Sequence, residues 1–178
     1  MTIHPQFSHS WIGTFMFNLC AKWTKFLLHN KFIFYFLACT WGIIMTAAGF
    51  LITLVLAIVK LFMSKKITFK KYGWIYSISL GDKAWGGADL GLMFLRDTIS
   101  SAEHIDAHEF GHTFQNCLLG PFFWFIVAIP SIIRYWRFMY DTDHKKSVIP
   151  YDKAWFEDAA SQCGLYAINY ITEESKYD

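Results

Sequence analysis

Charged side chains are scarce in this sequence. Asp, Glu, Lys and Arg make up 17% of the 178 residues, whereas soluble domains usually carry about a quarter. Hydrophobic residues reach 54% and aromatic residues 20%, and amphipathic aromatic rings favour the membrane interface. The length suits one modest domain plus an anchor. We therefore expect part of the chain to lie in lipid, with the bilayer as a partner.

A strongly basic balance is also missing. The net charge is only +2, and the lysines and arginines are dispersed rather than gathered into the stripe that phosphate binding needs. These two features argue against a nucleic-acid partner.

Paired cysteines are absent as well. No two of the four cysteines form a CxxC pair, which argues against a thiolate zinc site and against a disulfide framework. Reduced thiols fit a domain on the cytoplasmic side of a membrane, and we expect all four to act as small buried hydrophobes. They are Cys20, Cys39, Cys117 and Cys163.

Charge disappears altogether from Phe32 to Val59. This run is 28 residues long, more than the about 20 needed to cross a bilayer and too few for two crossings. It is too long and begins too late for a cleaved signal peptide, and the lysines at its ends can snorkel to the headgroups. The sequence predicts one transmembrane anchor over residues 32–63.

The lysines around the anchor predict its orientation. Five lie between positions 60 and 71, and three precede the run. The positive-inside bias places the following domain on the cytoplasmic side of the membrane.

The segment over residues 1–31 has an amphipathic pattern. Its polar residues recur every three or four positions and its aromatic residues fall on other faces, which is typical of a helix lying in the membrane interface. The alternative is an ordinary surface helix packed on a protein core. The polar set is Thr14, Asn18, Lys22, Lys25 and His29.

The rest of the chain, residues 64–171, has the pattern of a small α+β domain. Trp74–Leu80 and Asp89–Arg96 are predicted strands, and the turn-rich residues 81–87 between them predict a hairpin.

Two predicted helices follow the strands. The first begins at Ser100 or Ser101, where Ser100 and Glu103 match a capping box, and ends near Leu119 before a Gly-Pro pair. The second runs from about Lys153 to Tyr170, and residues 172–178 form a polar tail that we expect to fray.

The first of these helices carries His108-Glu109-Phe110-Gly111-His112. Residues four apart share a helix face, so the two imidazoles can share a metal ion, and the Glu109 carboxylate can take a proton from a water on that metal. Zinc accepts nitrogen ligands tetrahedrally and lowers the pKa of its water toward neutrality. The motif predicts Zn²⁺ as cofactor, His108 and His112 as ligands, and Glu109 as the catalytic base.

A third ligand is needed, with the fourth position left for water. His104 lies one turn before His108, but three consecutive turns of a straight helix do not converge easily on one ion. Glu157, on the following helix, is the better candidate because the 44 intervening residues let the chain return.

With these residues the chain resembles the gluzincin class of zinc metallopeptidases. The anchor makes it most similar to the membrane-bound M48 and M56 types. The longer stretch His-Glu-Phe-Gly-His-Thr-Phe-Gln, with the Leu-Gly-Pro and Pro-Ser that follow, resembles a set of uncharacterised bacterial membrane proteins. The resemblance covers about residues 86–164.

The resemblance implies a zincin-like domain in which a short hairpin is followed by the motif helix and a third-ligand helix. It implies His108, His112 and Glu157 as ligands and Glu109 as base. Such families often place an Asp four residues after the ligand glutamate to orient a histidine, but Ser161 stands there. It also implies an edge strand that binds the substrate backbone, which we assign to Asp89–Arg96, or alternatively an ordinary core strand.

Two further expectations concern packing. Gly111 predicts close packing of the motif helix against a strand. Leu118–Ile133 is apolar but should not cross the membrane, because one crossing would separate His112 from Glu157 by over about 30 Å. We expect a kinked element that dips into the membrane or packs on the anchor, since Pro130 interrupts it.

The sequence therefore predicts a membrane-associated zinc metallohydrolase, in particular an endopeptidase acting on a peptide or membrane-protein substrate. The alternatives are a membrane-anchored sensor or interaction protein with a structural zinc, and a protein without metal whose histidines serve packing.

Overall fold

The computed structural model describes residues 2–63, 67–80, 86–99, 102–147 and 149–176. They form an α+β fold, as predicted. The helices are α1 (Trp11–Leu28), α2 (Lys31–Cys39), α3 (Ile43–Met63), α4 (Ala102–Leu119), α5 (Ile129–Asp143) and α6 (Trp155–Glu174). The strands are β1 (Ile67–Tyr72), β2 (Ile75–Leu80), β3 (Gly87–Leu90) and β4 (Met93–Arg96).

The strands form one sheet in the order β1-β2-β4-β3. β1 and β2 make one antiparallel hairpin, β3 and β4 make another, and β2 pairs with β4 in parallel. The predicted hairpin between Trp74–Leu80 and Asp89–Arg96 is therefore wrong. The second segment folds on itself at Gly91, whose φ of 73° is a turn conformation that glycine adopts without strain.

Helices cover both faces of this sheet. On one face, Ile75 and Phe94 pack with Phe110 and Phe114 of α4 in the largest buried cluster. On the other face, Ile78 and its neighbours pack against α3. The molecule is thus layered, with α3 on one side and α4, followed by α6, on the other.

Helix α1 packs on protein along its inner face. Phe17 and Cys20 are buried against Ala159 and Cys163 of α6, which is the arrangement expected of the surface-helix alternative. Trp11 stays exposed on the opposite face, and residues 1–31 as an interfacial segment remain a prediction.

The uncharged run Phe32–Val59 is two helices rather than one. Helix α2 ends at Cys39 and α3 begins at Ile43, because Phe34 and Ala38 are fully buried in the domain core. One helix of the described chain, at Ile43–Leu61, is long and apolar enough to cross a membrane, a property that core helices of soluble proteins share.

The motif helix ends where predicted, at Leu119, while Ser100 and Ser101 lie outside the described residues. Gly120 follows with a φ of 54°, and the axis bends by 114° between residues 103–122 and 124–143. A π-helical turn at Trp124–Ala128 leads into α5. Leu118–Ile133 is bent, as predicted, but the bend follows Gly120 and lies at the break before Trp124. Pro130 does not interrupt the element, because it stands in the first turn of α5, where its missing N–H is tolerated.

Two smaller predictions need correction. Helix α6 continues to Glu174, so the first residues of the predicted polar tail are helical. Cys39 is exposed, whereas the other three cysteines are buried, because Cys39 ends α2 on its outer side.

Candidate metal centre

Helices α4 and α6 touch backbone to backbone at two glycines. A Cβ atom at Gly111 would collide with the carbonyl oxygen of Ala160, and one at Gly164 would collide with that of Ala107. The partner of Gly111 is therefore a helix and not the predicted strand. This close approach brings the first turn of α6 beside the histidines of α4.

The structure brings His108, His112 and Glu157 together in one buried group that can hold a metal ion. Glu157 Oε2 lies 3.1 Å from His108 Nε2 and 3.3 Å from His112 Nε2, and the two Nε2 atoms are 3.1 Å apart. Neighbouring ligands of a tetrahedral zinc with bonds of about 2.0–2.1 Å are separated by about 3.3 Å. The spacing of the three atoms therefore fits one small cation.

Both imidazoles are oriented from behind. Ser161 Oγ lies 2.8 Å from His108 Nδ1, and Gln115 Oε1 lies 2.8 Å from His112 Nδ1. Gln115 donates its own Nε2 to the carbonyl of Phe156 at 2.7 Å, which fixes its oxygen toward the ring. A proton on each Nδ1 leaves the Nε2 lone pair directed at the centre of the group.

Ser161 thus occupies the orienting position for which an Asp was expected. We predict that Ser161→Ala weakens zinc affinity about 10- to 100-fold, as is typical when such a partner is lost. Competition with a metal-binding dye measures the affinity. Ser175→Ala, near the end of α6 and exposed, is the control. Equal zinc affinities of the wild type, Ser161→Ala and Ser175→Ala would contradict the role of Ser161.

Burial and hydrogen bonds within the group shift the pKa values of its three members even without a cation. Burial alone would raise the pKa of Glu157, but hydrogen bonds from both histidines hold it well below its usual range. Burial lowers the pKa of His108. Burial would also lower the pKa of His112, yet its hydrogen bond with Glu157 and the neighbouring carboxylates raise it to about 9. The other carboxylate oxygen, Glu157 Oε1, is buried and has no hydrogen-bond partner among the described residues.

Glu109 lies beside the group, against the edge strand β3. The backbone N–H of Asp89 donates to its carboxylate, and an added Cβ at Gly87 would lie 2.5 Å from Glu109 Oε1. Only a glycine leaves this space. Burial, together with the charges of Asp89 and Glu157, raises the pKa of Glu109 to about 8 against the lowering effect of His112.

β3 is an edge of the sheet, so part of the predicted edge strand is correct. The N–H of Asp97 donates to the carbonyl of Gly86, and alternation along an antiparallel pair then turns the backbone groups of Gly87 and Asp89 to the open side. Met93–Arg96, the other half of the predicted segment, is an interior strand.

His104 does not join the group. Its side chain is exposed and lies 3.7 Å from Asp152, which agrees with the preference for Glu157 as the third ligand.

Two cavities of about 220 Å³ each flank the site. Both are lined by Gly87, His108, Glu109 and Tyr151. The first opens toward polar side chains such as His104 and Asp152. Both cavities are mainly apolar, and the wall of the second includes Met45, Phe123, Trp124, Val127 and Ile132.

Two polar residues of the site were missed by sequence reasoning. Tyr151 bonds to Ser131 through their hydroxyls at 2.5 Å, and burial with the charge of Glu157 raises the pKa of its phenol. Asp89 accepts from Thr113 at 3.0 Å, and burial raises its pKa to about 7. No local pattern in the sequence identifies Tyr151 as a site residue, because it reaches the site only through the chain reversal after α5.

Asp158 points away from the metal group, as expected for the residue after Glu157, and holds the N-terminal segment. It accepts hydrogen bonds from the backbone N–H groups of Gln6 and Phe7 and lies 2.8 Å from His9 Nε2. The segment before α1 is thereby fixed to the first turn of α6.

Comparison of the chain with protein-family models, curated proteins and solved structures finds no match. The resemblance to gluzincins therefore stays a prediction, and the site is interpreted from its own geometry.

Proposed function

We propose that this protein is a membrane-associated, zinc-dependent hydrolase, and specifically a gluzincin-like endopeptidase with a zincin-like domain. The observation that supports this most strongly is the convergence of His108 Nε2, His112 Nε2 and Glu157 Oε2 beside Glu109.

Zinc is the cation that this donor set favours. Two imidazoles and one carboxylate are a common catalytic zinc set, which leaves a fourth position for water. Within the described residues the group has three such ligands, and cavities reach it from two sides. Zinc bound there would supply the Lewis acidity that makes a water molecule nucleophilic at neutral pH.

Glu109 and Tyr151 are the residues that would carry out proton transfer and charge stabilisation. Glu109 accepts a proton from the attacking water and passes it to the leaving amine, so that the peptide C–N bond breaks and the new carboxyl and amino ends balance the added water. A cation in the group would lower the pKa of Glu109 from its metal-free value of about 8 and keep it ready to accept. Tyr151 remains protonated at neutral pH and can donate to the negative charge that develops on the carbonyl oxygen.

A peptide is the substrate that this cleft suits best. The open edge of β3 offers the backbone groups of Gly87 and the carbonyl of Asp89 for strand addition, while the Asp89 N–H already donates to Glu109. The cavities on either side of Glu109 can each take a side chain. The apolar cavity behind Phe123 favours a hydrophobic residue at one of these positions.

A structural zinc in a membrane sensor is the second candidate. The complete burial of Glu157 is compatible with it, and the distinguishing feature of a structural site is that protein ligands fill all four coordination positions. A fourth protein ligand in the metal-loaded protein would favour the structural role of the zinc over a catalytic one.

For localisation we propose the cytoplasmic side of a bacterial inner membrane. The apolar helix at Ile43–Leu61 supports a membrane location, and the lysines after the uncharged run suit the anionic surface of the cytoplasmic leaflet.

Metal analysis of the purified protein tests the proposal. We expect about one zinc per chain, lost in the His108→Ala, His112→Ala double variant because two of three ligands are gone. His29→Ala, His144→Ala is the matched control, since both side chains lie on the surface. Full zinc content in the first double variant would contradict the site, and tight binding without hydrolysis of any peptide would favour the structural role.

A further inference from the structure

Helix α3 packs on the sheet along nearly its whole length. Near its start, Thr46 contacts Gly91 at the turn between β3 and β4. In the middle, Thr53 donates to the sulfur of Met93. Near its end, Val59 joins the cluster around Ile67. From Thr46 to Val59 the helix advances about 20 Å, at a rise of about 1.5 Å per residue.

The opposite face of α3 is apolar and exposed. It carries no polar side chain among the outward residues of about four successive turns, which form one stripe at helical spacing. These residues are Ala47, Phe50, Leu51, Leu54, Val55, Ile58 and Leu61. An uncovered stripe of this size marks an interaction surface.

A crossing orientation of α3 conflicts with its contacts. The hydrocarbon core of a bilayer is about 30 Å thick, so a helix standing upright in it would carry the attached sheet to the same depth. The edges β1 and β3 would then lie in lipid with unpaired backbone groups, which open sheet edges do not tolerate. Lys71, exposed on β1, would lie there too.

We propose that α3 lies in the plane of one membrane leaflet, with its outer stripe among the acyl chains, and that the protein is seated on the membrane without crossing it. Such in-plane helices bury their apolar face about 5–10 Å into the boundary region. This inference concerns the seating of the domain and does not depend on the proposed hydrolysis.

Charge beside the stripe selects lipid over a second copy of the chain. Lys60 is exposed at the end of α3 and its ammonium lies 5.4 Å from the ring centre of Phe69. Lys71 stands on the same side of β1 as Phe69, two residues away. Anionic headgroups would satisfy these cations, whereas the same stripe of a second copy would offer only the same lysines.

Depth measurements on the full-length protein test the seating. Phe50, Leu54 and Ile58 are replaced one at a time by Cys in a Cys39→Ser background and spin-labelled, while the three buried cysteines stay unreactive. The proteins are bound to vesicles of phosphatidylcholine and phosphatidylglycerol. We expect all three labels to report the same shallow depth.

Two results would overturn the proposal. Depths that change by about 6 Å for every four residues would show a crossing helix. Labels that stay in water, or that couple in pairs in a dimer without vesicles, would assign the stripe to solvent or to a second copy. Far-ultraviolet circular dichroism of each variant confirms that it is folded.

A second measurement uses the lysines. Lys60→Gln, Lys71→Gln should weaken binding to anionic vesicles about 30-fold, at about 1 kcal/mol per lysine near a charged surface, and leave binding to neutral vesicles unchanged. Lys145→Gln, Lys146→Gln, in the exposed loop after α5, is the matched control. Equal losses of vesicle affinity in the two double variants would contradict the proposed contact of Lys60 and Lys71 with anionic headgroups.

Discussion

Glu109→Gln is expected to abolish hydrolysis while leaving the zinc content and the fold unchanged. Loss of a general base typically lowers the rate about 10²- to 10⁴-fold, which is visible in any working peptide assay. Glutamine matches glutamate in size and its oxygen can still accept the hydrogen bond from the N–H of Asp89. It cannot accept the proton of the attacking water.

The expected result separates Glu109 from the ligands. Glu157→Gln should lower zinc affinity itself, because Glu157 Oε2 contacts both histidines. Activity is measured with a panel of peptides and membrane-protein substrates, alongside metal analysis.

Glu103→Gln is the control for this experiment. It makes the same chemical change on the same helix, one and a half turns earlier and in an exposed position, and should retain full activity. Equal cleavage by wild type and Glu109→Gln would refute the catalytic assignment.

Gly164→Ala is expected to separate α4 from α6 and to lose both stability and zinc. The added methyl group would meet the carbonyl oxygen of Ala107 and approach the backbone nitrogen of Gly111. Backbone cannot move aside as a flexible side chain can, so the helices must shift. Overpacking of this kind costs about 3 kcal/mol, at the upper end of the usual range, and exceeds the about 1 kcal/mol that Ala gains in helix propensity.

Denaturant titration and metal analysis measure the two losses together. Zinc should weaken because Glu157 and the histidines belong to the two helices that move apart. Gly111→Ala should behave in the same way, since it meets Ala160 from the other side of the contact. Thr172→Ala, exposed in the last turn of α6, is the control, and unchanged stability and zinc content in Gly164→Ala would refute the close packing.

Local pattern was sufficient for the elements that carry the metal group. The spacing of His108 and His112 predicts their common helix face, and Gly120 with Pro121 predicts the helix end that the structure has. The following helix and its glutamate were also predicted, because the polar loop before the helix and the room for a chain return are both visible along the sequence.

Local pattern was insufficient wherever distant contacts decide. The uncharged run beginning at Phe32 forms two helices because Phe34 is buried in the domain core. No local feature of the sequence predicts that burial. The parallel pairing of β2 with β4 depends on the turn at Gly91, which a strand pattern across Asp89–Arg96 conceals.

The sequence by itself determined which groups are present: two imidazoles and a carboxylate at ligand spacing, a second carboxylate beside them, and an apolar run of membrane length. The tertiary structure decided how these are used. It placed Ser161 and Gln115 within hydrogen-bond distance of the Nδ1 atoms of the two histidines. It also placed Glu109 against β3 and packed one face of α3 on the sheet. The reason is that helix spacing and helix ends are fixed by neighbours within a few residues, whereas orientation, burial and membrane depth depend on contacts between segments far apart in the chain.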